Sequence, residues 1–147
     1  YKTEDMLKMK GELTVTLFDA DGKVKDERAI KNLVVSAGKT FIASRMVGTA
    51  KSIMSHMAIG TGTTTPAVGQ TTLTTEAGRV TLASSSYSSN QVTYTATFPA
   101  GTGTGAITEA AVFNASSAGD MLCRTTFPVV NKAAGDSIAV TWTVTVS

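Results

Sequence analysis

The stretch Ile138-Ala139-Val140-Thr141-Trp142-Thr143-Val144-Thr145-Val146 alternates large apolar and small side chains without a break. Successive side chains of an extended chain point to opposite faces, so Ile138, Val140, Trp142, Val144 and Val146 share one face and Ala139, Thr141, Thr143 and Thr145 the other. A helix would scatter both sets around its circumference. The segment is therefore a half-buried β-strand with a threonine-rich outer side. The same pattern recurs upstream, with Val92, Tyr94, Ala96 and Phe98 opposite Thr93, Thr95 and Thr97.

Other extended segments fall at residues 53–59, 80–87, 107–114 and 121–127, with Ser88-Ser89-Asn90 as a turn after the second. Residues 11–35 read as a hairpin. Leu13, Val15 and Leu17 alternate with Glu12, Thr14 and Thr16, and Asp19-Ala20-Asp21-Gly22 supplies turn chemistry. The return strand carries Lys23, Lys25, Asp26, Glu27, Arg28 and Lys31, a density of charge expected of a protected sheet edge or a contact surface. Ser36 is placed to cap a short helix in which Phe41, Ile42, Arg45 and Met46 recur at near-helical spacing and which Gly48 ends. A second helical turn is expected over residues 71–76.

Seven or eight short strands at hairpin spacing predict a mainly β fold, an antiparallel β-sandwich or flattened barrel with one short helix and an N-terminal arm and hairpin. With 147 residues, 42% of them hydrophobic, the chain supports one sizeable core. Phe41, Tyr94, Phe98, Phe113 and Trp142 are its expected large members. The organisation is an arm over residues 1–10 followed by a single domain over 11–147. That domain divides into the charged hairpin 11–35, the helix 36–48 and a threonine-rich body 52–147.

The formal net charge of +2 conceals an uneven distribution. Residues 1–51 hold ten basic and seven acidic side chains, whereas residues 52–147 hold only Arg79, Arg124, Lys132, Glu76, Glu109, Asp120 and Asp136. Twenty threonines occupy the same 96 residues, so small β-forming polar groups stand where charge is missing. Such faces remain soluble yet do not repel a covering subunit. Arg79 and Glu109 lie in nearly charge-free strands, where an unpaired charge is costly, and are expected to pair with each other or with backbone groups.

No apolar run approaches the roughly 20 residues of a membrane-spanning helix, and the opening Tyr1-Lys2-Thr3-Glu4-Asp5 lacks the apolar run of a signal peptide. A single cysteine, Cys123, excludes an intrachain disulfide and a multi-cysteine zinc site. The one histidine, His56, has no ligand cluster beside it in the sequence, and no nucleophile elbow accompanies it. Asp19-Ala20-Asp21-Gly22 lacks the later ligands of a calcium loop. Gly60-Thr61-Gly62 and Gly101-Thr102-Gly103-Thr104-Gly105 lack the lysine of a phosphate cradle and read as flexible turns. The basic residues of the N-terminal third are interleaved with acids and lack base-stacking aromatics, so no nucleic-acid partner is expected, nor a membrane, a metal or any other cofactor. The protein is expected to be no enzyme.

Against this background residues 33–147 resemble the N-terminal module of phage tail-collar fibre proteins. The similarity is carried by Leu33-Val34-Val35-Ser36-Ala37-Gly38-Lys39, by Met57-Ala58-Ile59-Gly60-Thr61-Gly62, and by Leu73 and Glu76 after a Thr/Pro loop. It continues through Asn90-Gln91-Val92, Ile107-Thr108-Glu109-Ala110-Ala111-Val112-Phe113-Asn114, Gly119-Asp120-Met121-Leu122, Phe127-Pro128, Lys132 and the terminal strand. The resemblance implies a structural component of a tailed-phage virion, made in the cytoplasm of a bacterial host.

A fibre would continue past such a module into a shaft, whereas this sequence ends at Ser147. The expectation drawn from that ending is a capsid cement or decoration protein on the shell surface, bound to the major capsid protein and to copies of itself as a trimer. The alternative is a tail adaptor, baseplate or fibre-attachment protein with tail proteins as partners. A carbohydrate-binding host-recognition module is a further alternative, which would need an exposed aromatic platform near Tyr87 or Tyr94. Lys2, Met6, Leu7, Lys8, Met9, Lys25 and Arg28 are the candidate subunit contacts, because adaptable apolar side chains among charges suit an arm that orders against another chain.

Overall fold

The computed structural model describes residues 9–48 and 51–146. The elements follow in the order β1 (Met9–Phe18), β2 (Val24–Val34), α1 (Ser36–Met46), β3 (His56–Gly60), β4 (Glu76–Thr81), β5 (Ser84–Ser88), β6 (Gln91–Phe98), β7 (Gly105–Phe113), β8 (Met121–Lys132) and β9 (Ser137–Val146). The nine strands form one antiparallel sheet ordered β4-β3-β7-β8-β2-β1-β9-β6-β5. It is curled like a half-barrel. Leu13, Val15, Tyr94, Phe98, Val140 and Trp142 from one half share the main core with Met57, Ile59, Ile107, Val112, Phe127 and Val130 from the other.

β2 joins the halves. Its residues from Val24 to Asn32 pair with β1, while only Leu33 and Val34 pair with β8. The charged strand is thus interior to the strand order, and the sheet's edges are β4 and β5. Below Leu33 the two neighbours separate, and Thr125 Oγ1 donates to the Lys31 carbonyl at 2.8 Å in place of a ladder bond. Inward-pointing Asp26 and Arg28, paired at 3.1 Å, occupy this opening. Charge on a strand blocks further pairing wherever a ladder ends, which need not be the last strand of the sheet.

Several sequence expectations change. Residues 80–87 are not one strand: the chain breaks at Leu82 and Ala83, β4 pairs with β3, and β5 pairs with β6 at the opposite edge. At the break the Leu82 amide donates to the Ser55 carbonyl at 2.9 Å and that of Ala83 to Thr95 at 2.7 Å, so each serves a different half. Residues 71–76 form bends and the start of β4, because the amides of Thr74 and Thr75 donate to the Glu109 carboxylate and leave no helical turn to form. Ser36 is the first helical residue and not the cap. Val35 holds the cap position without a side-chain bond, and the Ser36 amide donates to the Val68 carbonyl at 2.7 Å. β1 begins at Met9, paired with Val146, so Met9 and Lys10 of the expected arm belong to the sheet, and residues 1–8 lie outside the described residues.

α1 lies against β8 and sends Phe41 into the main core. Gly38 is buried there because a Cβ would run into the Leu122 backbone, so the helix accepts a poor helix former in exchange for close approach. All five expected core side chains are buried: Phe98, Phe113 and Trp142 completely, Phe41 and Tyr94 nearly so. Phe113 faces away from the others. It joins Val35, Ala58, Leu73, Ala111 and Met121 in a second cluster on the outer side of the β3-β7-β8 half.

Candidate functional site

The second cluster exists because residues 61–75 fold back over that outer face, and a buried ion pair holds them there. Glu109 on β7 and Arg124 on β8 are both fully buried and meet at 2.9 Å through Arg124 Nη2 and Glu109 Oε1. The other Glu109 acceptor positions are filled by backbone amides: Gly62 and Thr75 donate to Oε2 at 2.8 Å each, and Thr74 to Oε1 at 2.9 Å. Arg124 Nη1 donates to the Thr64 carbonyl at 3.2 Å and to Gln70 Oε1. One carboxylate thus gathers both ends of the segment and one guanidinium its middle. Arg124 Nε is left without a partner among the described residues; the rest of the pair's hydrogen-bonding capacity is met in this way, as an ion pair removed from water requires. Gly62 is required, since a Cβ would sit 2.5 Å from Glu109 Oε2. The Gly60-Thr61-Gly62 segment is a pinned anchor and not a flexible turn.

Arg79 and Glu109 do not pair. They lie on the same face with β3 between them, while Arg124 stands on the strand next to Glu109. Arg79 instead meets Glu76 at 2.6 Å, donates to the carbonyls of Ala115 and Ala118 at 2.9 Å each, and lies 3.8 Å above the Phe113 ring. Of the two expectations for these charges, bonding to backbone groups holds for both, and pairing with each other does not. Sequence reading missed Arg124 and Gln70, although Arg124 is one of only three cations after residue 51.

Several polar groups elsewhere are also occupied internally. Asp19 Oδ1 accepts the amides of Asp21 and Lys23 at 2.9 Å each, closing the first hairpin. His56 Nδ1 lies 2.7 Å from Ser55 Oγ. Cys123 is fully buried, and burial pushes its thiol pKa up, while Tyr94 across the core is raised to about 12 by burial and secondarily by Cys123. Lys25 donates to Asp136 Oδ2 at 2.7 Å, and this bond, with one from the Ala133 amide, holds the Asp136 carboxyl below the usual range. Among the described residues no three His, Cys, Asp or Glu side chains are grouped to hold a metal, and no helix is long and apolar enough to cross a membrane.

Of the expected subunit contacts, Lys2, Met6, Leu7 and Lys8 lie outside the described residues. Met9 packs on the main core, and Lys25 and Arg28 make the internal pairs given above, Arg28 also reaching the Val129 carbonyl at 3.3 Å. Among the described residues two concave surfaces stand out. One is the outer face of β1, β6 and β9, where Thr14, Thr93, Thr95, Thr141 and Thr143 form cross-strand rows; a saddle of about 680 Å³ on it is bordered by Lys10, Glu12 and Lys31. The other is a groove of about 480 Å³ between α1 and the β5 edge, walled by Phe41, Ile53, Met54, Tyr87, Val92 and Tyr94. Tyr87 is 81% exposed at its rim and Tyr94 is buried in its floor. Of the two tyrosines named for an aromatic platform, Tyr87 is therefore open to solvent and Tyr94 is not.

An antiparallel sheet with one internally pinned loop, a threonine-rich outer face bordered by Lys10, Glu12 and Lys31, and an open edge is a mainly β module whose buried charges hold its own chain. Residues 27–146 match the family described as phage tail-collar fibre protein, N-terminal, and the chain belongs to that family. The match covers everything from the middle of β2 to the end of β9. Comparison with curated proteins and with solved structures finds no match. The chain is thus a bacteriophage structural protein and a component of the virion, as the sequence resemblance implied.

Proposed function

We propose that this protein is a non-enzymatic attachment module of the phage tail, an adaptor through which a fibre or baseplate part is joined to the tail. The observation that carries this reading is the family match over residues 27–146, whose description names the tail and its fibre. The capsid-cement reading rested on the sequence ending at Ser147, and the end of a sequence is not a contact; no feature of the fold favours a shell partner over a tail partner. The internal occupation of Glu109, Arg124, Arg79 and Asp136 supports a scaffold role, because these charges hold backbone and are not directed at a substrate. The threonine rows, charged only at their border, suit a surface that another subunit covers at modest desolvation cost.

Particles assembled without the protein test the proposal. The expected result is DNA-filled, stable heads with tails that lack fibres and do not adsorb to cells. Fully fibred particles with fragile heads would replace it with the capsid reading.

A further inference from the structure

Gly60-Thr61-Gly62 lacks the lysine of a phosphate cradle, yet the fold makes an anion cradle from it. The end of β3 and the start of β4 are joined there by the Thr61 amide, which donates to the Thr75 carbonyl at 2.9 Å. From this junction the amides of Gly62, Thr74 and Thr75 converge on one carboxylate at 2.8 to 2.9 Å. Thr74 and Thr75 are consecutive, and successive backbone N–H groups turned to one side form a concavity that takes anions. Arg124 Nη2, 2.9 Å from the same carboxylate, adds the positive charge that the motif itself lacks. Both glycines are needed for the approach. A Cβ on Gly60 would lie 2.6 Å from Glu109 Oε2 and one on Gly62 2.5 Å from it.

We propose that this is a carboxylate-binding site whose ligand, Glu109, is supplied by the chain itself, and that its occupancy closes the segment 61–75 over the sheet. The segment has little else to hold it. Leu73 is its one side chain in the outer apolar cluster, and residues 63–72 are exposed except for the half-buried Pro66 and Gln70. Bonds from amides and a guanidinium to an ionised carboxylate are the stronger kind, and their geometry serves any carboxylate of the right size. Glu109 occupies the site because its tether holds it there at an effective concentration above that of a free anion. Truncation of Glu109 to Ala removes one methylene and the carboxylate, the outline of acetate, so acetate is the ligand class the emptied cradle should take. The inference concerns a contact within one chain and does not depend on where the protein sits on the particle.

Thermal unfolding tests it on the parent chain, Glu109→Ala and Glu109→Gln, each in sodium acetate, sodium chloride and acetamide at equal concentration. Acetate is expected to raise the midpoint of Glu109→Ala progressively with its concentration, as a ligand that binds only the folded chain does, and to slow amide exchange at Gly62, Thr74 and Thr75. Acetamide, of the same shape but uncharged, should leave both where chloride does. The parent and Glu109→Gln, whose cradles are filled, should melt in acetate as in chloride. Adding Arg124→Met to Glu109→Ala should abolish the acetate response. Equal shifts in all three chains, no response in Glu109→Ala, an equal response to acetamide, or a response that survives Arg124→Met would overturn the proposal. If Glu109→Ala is unfolded in chloride, recovery of the native circular dichroism on refolding in acetate becomes the readout, and a chain that stays unfolded there counts against the proposal too.

Discussion

The sheet strands β3, β7 and β8 are covered on both faces over most of their length, and β1, β6 and β9 on one, with the more exposed β4 and β5 at the two edges. In the first, β3 is buried at four consecutive positions and β7 at five, so alternation vanishes. In the second, β9 and β1 alternate buried and more exposed positions along most of their length. The polar chemistry divides the same way. The charges of the first half are held by internal partners, Glu109 with Arg124, Arg79 with Glu76 and two carbonyls, and Lys132 with the Pro99 carbonyl, while the second half meets water through threonine hydroxyls and the charges of Lys10 and Glu12. Internal anchoring thus belongs to one half, and most of the free surface for assembly to the other.

The strongest way to break this contrast is through Glu109. Replacing Glu109 by Ala leaves Arg124 charged and unpaired in a buried position and releases three amides, and is expected to cost roughly 3–5 kcal/mol in denaturant unfolding. Hydrogen exchange at Gly62, Thr74 and Thr75 should rise in the same variant. The double replacement Glu109→Leu with Arg124→Met should recover part of the loss, since it removes both charges together. A loss under about 1 kcal/mol would mean that the pair does not hold the segment.

Trp142 gives the corresponding test inside the singly covered half. Its Nε1 donates to Asn32 Oδ1 at 2.9 Å, and the Asn32 side chain crosses β1 over Gly11, where any Cβ would collide with it. Trp142→Phe removes that bond and leaves both ends of the Asn32 amide without a partner, for an expected loss of about 1–3 kcal/mol.

How much of this was legible in the sequence follows from the same division. Where one face is wet, polar and apolar residues must alternate, so β9, β6 and the first hairpin could be placed from pattern alone. Where both faces are dry, β3, β7 and β8 read only as apolar runs, and the strand break at Leu82 is invisible because Ser and Thr flank it on both sides. The loop over residues 61–75 takes its shape from a carboxylate 34 to 47 residues further on, a tertiary cause that no local propensity records. The need for buried charges to pair was readable; the choice between Arg79 and Arg124 depended on strand order.

Titration separates the halves more finely. The Cys123 thiol has a folded pKa above its unfolded value, so the stability tied to its neutral form is complete below about pH 8.5 and is lost as pH rises beyond it. The melting temperature should fall between pH 8 and 10, and fall less in Cys123→Ala. Asp136 has the opposite sign. Its folded pKa is lowered, so its contribution is complete above the ordinary aspartate range and lost as pH falls through the folded value. Acid unfolding of Asp136→Asn should therefore show a weaker pH dependence below about pH 4.

The smallest effect belongs to the open face. Thr143→Lys or Thr141→Ala should change stability by no more than about 0.5 kcal/mol, because each side chain lies on a solvated face. If the same changes weaken incorporation into particles, the threonine rows are a contact surface; unchanged incorporation would place the contact elsewhere on the molecule.

The most direct test of tail attachment is the position of the protein on the particle. Gold label directed to a tag on this chain, imaged on purified virions, is predicted to lie at the tail where fibres join. Label distributed over the capsid shell, with bare tails, would contradict the account.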